Sequence, residues 1–154
     1  DFLFNIAISV IAAVIFFIIQ VFIPNRKKEQ TLKKYAKRYL KEIILAKFRI
    51  LKVSADMIIE GTKYETEMKK AINSSCIEIK KALNEYLNKY LYVSSDKLIE
   101  AVNSALFDDM LYLISVQTEG NLVNMSLKEI LLDQTKYRFL WDKVDKIKSE
   151  SEKL

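Results

Sequence analysis

Residues 2–23 read FLFNIAISVIAAVIFFIIQVFI and contain no charged side chain. As an α-helix this run spans about 33 Å, enough to cross a bilayer core of about 30 Å. A helix of this length in a soluble protein normally shows a polar face, and a cleaved signal peptide has a shorter apolar run behind a basic leader. The stretch therefore predicts a transmembrane helix, with residues 1–24 as an N-terminal anchor. Because the first residue is Asp1, we expect native residues to precede it.

The charges on either side of the anchor predict its orientation. Seven basic residues follow within residues 26–38, whereas the acidic Asp1 precedes the apolar run. Basic segments stay on the cytoplasmic side of a membrane. We therefore expect a single-pass protein of the cell membrane, with its N-terminus outside and its C-terminal domain in the cytoplasm. Pro24 has no amide donor, so it should mark the exit from the membrane as a kink or a break in the helix.

One face of the anchor carries small and polar side chains, which fall within about 100° of one another on a helical wheel. Ser9 and Ala13 form a small-xxx-small pair that lets two helices approach closely, and Asn or Gln side chains can hydrogen-bond between helices in lipid. The pattern predicts an association interface made of Asn5, Ser9, Ala12, Ala13, Phe16 and Gln20. Two alternatives stay open: an incidental pattern in which the terminal amides meet lipid headgroups, and a pore lined by these polar groups.

A block of positive charge begins where the apolar run ends. Residues 26–52 contain eleven basic and two acidic side chains, a net charge of +9 in a chain whose total is +5. Each cation near a membrane surface is attracted to anionic lipid by about 1 kcal/mol. The predicted lipid contacts are Arg26, Lys27, Lys28, Lys33, Lys34, Lys37 and Arg38. The later cations are candidates for an acidic partner surface or nucleic acid. We do not expect specific nucleic-acid binding, because Tyr35 and Tyr39 are placed as bundle residues rather than as base-stacking platforms.

Helical patterning predicts an all-α fold: one transmembrane helix, then a cytoplasmic antiparallel bundle of about four helices over residues 25–147 and a polar tail over residues 148–154 that frays. The first bundle helix is expected to end in a left-handed cap at Gly61. Its apolar residues alternate in steps of four and three. This 3.5-residue row comprises Leu32, Ala36, Tyr39, Ile43, Ala46, Ile50, Val53 and Met57. A second row, formed by Leu40, Ile44, Leu51 and Ile58, widens the stripe and favours packing in a bundle.

Capping signals predict where three further helices start. Thr-x-x-Glu and Ser-x-x-Glu spacings are typical of capping boxes, and serine is a preferred N-cap. The predicted starts are Thr62, Ser94 or Ser95, and Ser126. The third helix should run unbroken from Leu98 through Leu113, and the fourth from Ser126 to Ile147. A break at Gly120 should separate these two helices, with Leu122, Val123 and Met125 packed onto the bundle.

Residue types that carry chemistry are scarce. Histidine is absent, which removes the commonest general base and metal ligand. The lone Cys76 cannot form an internal disulfide and is expected to be a buried apolar residue. The sequence has no Gly-rich phosphate loop, no nucleophile elbow and no Cys/His cluster, and the adjacent Asp108 and Asp109 would point about 100° apart on a helix. We therefore expect no enzyme activity, no cofactor and no metal site.

Taken together, the patterns favour an oligomeric interaction or assembly module anchored at the cytoplasmic face of the membrane. Its expected partners are anionic lipid and either further copies of the chain or another membrane or cytoplasmic protein. Two alternatives remain. One is an oligomerising effector that perturbs the membrane, as small bacterial toxins and phage-defence proteins do. The other is a tether that binds anionic lipid or nucleic acid through the basic helix.

Overall fold

The computed structural model describes residues 1–118 and 126–154, and within these ranges the chain is helical and has no strand. The helices are α1 (Phe2–Glu60), α2 (Glu65–Tyr90), α3 (Asp96–Leu106), α4 (Asp109–Thr118), α5 (Leu127–Leu131) and α6 (Gln134–Glu152). The predicted break at Gly120 and the packing of Leu122, Val123 and Met125 lie outside the described residues. The prediction of an all-α protein, with a long apolar N-terminal helix followed by a helical bundle, is confirmed.

α1 is one continuous helix of 59 residues that passes from the apolar segment into the bundle. Two π turns, Ile18–Phe22 and Leu40–Ile44, interrupt its α-helical bonding. In the first, the Ile23 amide donates to the Ile18 carbonyl, and Pro24 then occupies the first turn of the next α-helical stretch. Because α1 is continuous, Pro24 leaves one carbonyl of the preceding turn without an amide donor, and it does so where the π turn already changes the hydrogen-bond spacing from four residues to five. The helix therefore does not break at Pro24.

The second π turn decides which apolar residues of α1 enter the core. A π turn holds one residue more than an α turn, so the side chains beyond it are rotated relative to a regular helix. The second row is buried in full, as is Phe48. In the 3.5-residue row, Ala36 alone is fully buried, and four members are exposed: Leu32, Ile43, Ile50 and Val53. The prediction that the 3.5-residue row packs into the bundle is therefore wrong for half of its eight members.

Polar contacts give the directions of the bundle helices. As residue numbers rise along α1, those of its partners fall along both α2 and α6, so both helices are antiparallel to α1. The contacts are Tyr39–Glu85 and Lys47–Glu78 with α2, and Lys37–Glu152 and Asp56–Tyr137 with α6. The pair α3 and α4 returns the chain between them and also packs on α2 and α6. The bundle thus has four antiparallel legs, of which the third and fourth are each divided into two helices.

The division of the third leg has its cause in a buried carboxylate. Asp108, only 2% exposed, accepts hydrogen bonds from the amides of Met110 (2.9 Å) and Leu111 (3.1 Å) at the start of α4. Its other oxygen lies 2.7 Å from Lys143 Nζ. The carboxylate caps α4 and binds α6 at the same time, so the prediction of one unbroken third helix is wrong. In the fourth leg Asp133 caps α6 in the same way, through the Lys136 amide at 3.2 Å.

The other predicted helix ends are mixed in outcome. Ser95 caps α3 by accepting from the Leu98 amide, and the capping box that begins at Ser126 is present. Thr62 instead accepts from the Tyr64 amide at 3.2 Å, and α2 begins only at Glu65, so the capping box predicted there is wrong.

Gly61 ends α1 with φ 87° and ψ 122°. This positive φ suits glycine, but the ψ lies outside the left-handed helical region that the prediction named. The polar tail, expected to fray, continues α6 to Glu152, and Ser151 is buried. The end of the chain is therefore part of the bundle.

The buried cap makes a stability prediction. Asp108→Ala should lower the free energy of unfolding by about 2–3 kcal/mol, because it removes two hydrogen bonds to backbone amides and the carboxylate that pairs with Lys143. Urea unfolding of the full chain in detergent, followed by circular dichroism, measures the change. The exposed neighbour provides the control, since Asp109→Ala should change stability by no more than about 0.5 kcal/mol. Equal effects of the two substitutions would contradict the role given to Asp108.

Candidate membrane-anchoring and association site

Within the described residues, α1 is the one helix long and apolar enough to cross a membrane. Its most apolar stretch has a mean hydropathy of 3.0, and none of that stretch is buried against the rest of the protein. Every residue from 1 to 32 is exposed, so the apolar surface surrounds the helix on all sides. Helices that are apolar all round are buried in a protein core or in lipid. Since no other described segment covers this one, its surface has the character of a membrane-spanning helix.

The predicted association face divides at the first π turn. Five of its six members lie in the regular α-helical stretch Phe2–Phe17, where Asn5, Ser9 and Ala13 follow at four-residue intervals. All of them are exposed, so this strip is free to meet another helix. Gln20 lies inside the π turn, where four-residue spacing no longer holds. The structure therefore brings Asn5, Ser9 and Ala13 together on one strip and separates Gln20 from it.

The predicted lipid-contact residues differ in what they already bind. Lys33 pairs with Glu29 at 2.8 Å, Arg38 pairs with Glu42 at 2.8 Å, and Lys37 Nζ donates to the Glu152 carbonyl oxygen. The first two pairs have the i,i+4 spacing that stabilises helices, so the sequence contained a signal for them. The contact between Lys37 and Glu152 joins residues 115 positions apart, so no local sequence pattern predicts it.

The remaining predicted lipid contacts are exposed: Arg26, Lys27, Lys28 and Lys34. Lys27, Lys28 and Lys34 make no ion pair with any described residue, and the Arg26 guanidinium lies 5.9 Å from the centre of the Phe22 ring. Arginine over an aromatic ring at the end of an apolar helix suits a headgroup layer, where the ring remains in an apolar setting and the charge reaches water. The free cations are therefore concentrated at residues 26–28.

The continuity of α1 sets how far each cation lies from a membrane. Measured along a straight helix from Ile23, Lys28 is about 7 Å away, Lys33 about 15 Å and Arg38 about 22 Å. Electrostatic attraction to a charged surface falls off over a Debye length of about 8 Å in physiological salt. Among the predicted lipid contacts, residues 26–28 thus lie within about one Debye length of the end of the apolar segment, and residues 33–38 lie beyond it on a straight helix perpendicular to a membrane.

The interior of the bundle offers little reactive chemistry. Cys76 is fully buried, as predicted, and burial raises the pKa of its thiol to about 12, which keeps it protonated. Burial and hydrogen bonds to carboxylates also raise the pKa values of the Tyr39 and Tyr137 hydroxyls, which bind Glu85 and Asp56. In residues 1–118 and 126–154 no group of three His, Cys, Asp or Glu side chains is arranged to hold a metal ion. The hydrogen bonds of Tyr39 to Glu85 and of Tyr137 to Asp56 instead join α1 to α2 and to α6.

The association face leads to a prediction about the anchor. Changing Ser9→Leu and Ala13→Leu together should reduce the mass of the detergent-solubilised complex, because the larger side chains prevent close approach of two helices. Size-exclusion chromatography with light scattering measures that mass. Ala7→Leu is the matched control, since Ala7 lies on the opposite side of the wheel from Ser9. An unchanged mass in the double variant would place the association outside this face.

In comparisons with known protein families, with curated proteins and with solved structures, the chain shows no significant match.

Proposed function

We propose that the chain is a single-pass membrane protein whose helical bundle acts as an oligomeric interaction and assembly module at the cytoplasmic face. The carrying observation is the form of α1. Its first part exposes apolar side chains on every side, and its last part supplies one leg of a packed bundle without a break between them. Such a helix suits an anchor that holds a folded module in a defined position next to the membrane.

The basic residues support the proposed orientation. The free cations at residues 26–28 follow the apolar segment directly, and the bundle begins beyond them. Basic residues close to the end of a span favour the cytoplasmic side, where anionic lipid is also enriched. The bundle would therefore stand at the cytoplasmic surface with anionic headgroups around its stalk.

The orientation can be tested by labelling single cysteines in intact cells. In a Cys76→Ser background, Asp1→Cys should react with a membrane-impermeant maleimide, and Asn84→Cys on α2 should react only after the membrane is permeabilised. Both positions are exposed in the protein, so a failure to react reports the side of the membrane rather than burial.

A variant that lacks residues 2–23 serves as the control for anchoring, because it should move the chain to the soluble fraction. The reverse labelling pattern would overturn the orientation. A chain that stays membrane-bound without residues 2–23 would overturn the proposed anchor.

A second candidate function is the membrane-perturbing effector, and the continuity of α1 favours it. Because one helix links bundle and anchor, any clustering or rotation of the bundles is passed directly to the membrane segment. Induced expression with a membrane-potential dye should then show depolarisation that depends on the anchor. The Ser9→Leu, Ala13→Leu double variant should abolish it and Ala7→Leu should not. If the dye shows no depolarisation when the unmodified chain is expressed, the effector function is rejected and the passive assembly module remains.

A further inference from the structure

The end of the bundle nearest the apolar segment is formed by the connection between α2 and α3 and by the end of α6. In that connection, Leu91–Val93 is a 3₁₀ turn that contacts the stretch of α1 after the apolar segment. Tyr92 lines the same cavity as Glu29 and Lys33, which lie about 9 Å and about 15 Å beyond Ile23 along α1. The turn is therefore held at the level of the first residues after the anchor.

This turn exposes apolar side chains at positions where turns usually carry polar ones. Tyr92 is 95% and Leu91 50% exposed, whereas Val93 is buried and holds the turn against the bundle. A tyrosine next to a leucine suits the boundary between lipid and water. The ring and the aliphatic side chain are apolar there, and the hydroxyl group can bond to water or to a headgroup.

The charges beside the turn distinguish it from other exposed aromatic residues. Lys89 and Lys97 lie on either side of Tyr92, are exposed, and make no ion pair with any described residue. The one acidic residue between them, Asp96, is in the first turn of α3, where it interacts with the helix dipole. Phe107, at the far end of α3, is 78% exposed but is followed by two aspartates, one of them exposed. Because cations are attracted to anionic lipid, the turn fits a membrane surface better than the far end does.

The turn lies close enough to the expected membrane surface for contact. The headgroup layer adds about 5–8 Å to each side of the hydrocarbon core. Membrane-spanning helices are tilted by about 20° on average. With neighbouring helix axes about 8–10 Å apart, a tilt of that size toward the turn lowers it by about 3 Å. Such a tilt brings Tyr92 to the outer edge of the headgroup layer.

We infer that the Leu91–Tyr92 turn is a second membrane contact, which inserts into the headgroup layer of the membrane that α1 spans. Lys89 and Lys97 bind anionic headgroups on either side of it. The turn also fixes the side toward which α1 tilts, because a contact on one side of the helix stabilises that tilt direction over the others. This inference rests on the proposed function, since it requires the membrane-spanning anchor.

The depth of the turn can be measured with a fluorescent label. In a Cys76→Ser background, Leu91→Cys carries the fluorophore and keeps Tyr92 and the two lysines. The full chain is reconstituted in vesicles of phosphatidylcholine and phosphatidylglycerol, with a small share of lipid that has a nitroxide on its headgroup. This lipid should quench the label at least about twofold more than a label at Phe107→Cys, which lies about 16 Å further along α3. Equal quenching at the two positions would overturn the inference.

A substitution in the turn separates insertion from mere proximity to the anchor. Tyr92→Asp should reduce the quenching of the Leu91→Cys label at least about twofold, because a carboxylate is repelled by an anionic headgroup layer. Phe107→Asp is the matched control and should leave the quenching unchanged. Both aromatic side chains are exposed, so circular dichroism should show a retained fold in each variant. Unchanged quenching in the Tyr92→Asp variant contradicts insertion of the turn.

The outcomes separate the second membrane contact from the function on which it rests. A chain that fails to float with vesicles overturns both the anchor and the contact. If an Ala12→Cys label is quenched by lipid with a nitroxide on its acyl chain, but the Leu91→Cys label is not quenched by the headgroup nitroxide, the anchor is kept and the contact is overturned. Cross-linking of Leu91→Cys to a second copy without headgroup quenching also overturns the contact, because it assigns the exposed turn to a protein partner.

Discussion

The backbone hydrogen bonding of α1 continues from Phe2 to Glu60, and the rest of the structure takes its position from this helix. One helix has to satisfy two environments. Its first part offers apolar side chains in every direction, whereas its last part has to bury one side and leave the other in water. The two π turns lie close to these changes of environment, the first before Pro24 and the second where the bundle core begins. Both changes are absorbed within the helix, so the bundle is fixed to the anchor without a loop.

Packing around α1 relies on polar groups that join helices as well as on apolar contacts. Asp108 caps α4 and pairs with Lys143, and the hydroxyls of Tyr39 and Tyr137 bind carboxylates on neighbouring helices. Such groups cost free energy when buried unless they are paired. Here each of these carboxylates has a partner, so the contacts fix the alignment of the legs along α1. The single tryptophan, Trp141, lies in the same region, against Phe48 and Tyr137 and under the Lys52 ammonium.

Sequence patterns predicted the fold class, the apolar anchor and the ends marked by Gly61, Ser95 and Ser126, because each depends on local chemistry. They failed for the core face of α1, where a single π turn changed which side chains point into the bundle. The 3.5-residue row is apolar and regular, so it resembled the core face. The π turn at Leu40–Ile44 has no distinct sequence signal, and it turned the adjacent row inward instead.

The candidate site shows the same division between local and distant causes. The small-residue strip of Ser9 and Ala13 and the free cations at residues 26–28 could be found from spacing and charge alone. The engagement of Lys37 by the Glu152 carbonyl could not, because it depends on α6 returning to the stalk. The two breaks at Asp108 and Asp133 were also missed. Asp108 is a cap that also pairs with the distant Lys143, which no local pattern predicts, whereas Asp133 caps α6 through the nearby Lys136 amide, for which the sequence did contain a local signal.

In the proposed membrane-anchored arrangement, the length of α1 beyond the membrane makes it a lever. From Ile23 to Glu60 the helix extends about 55 Å, so a change of about 10° in the tilt of the anchor would move its far end by about 10 Å. Anchors adjust their tilt to the thickness of the surrounding bilayer. The height and position of the bundle above the membrane would therefore vary with lipid composition, which turns a small change in membrane thickness into a displacement of the size of a helix diameter.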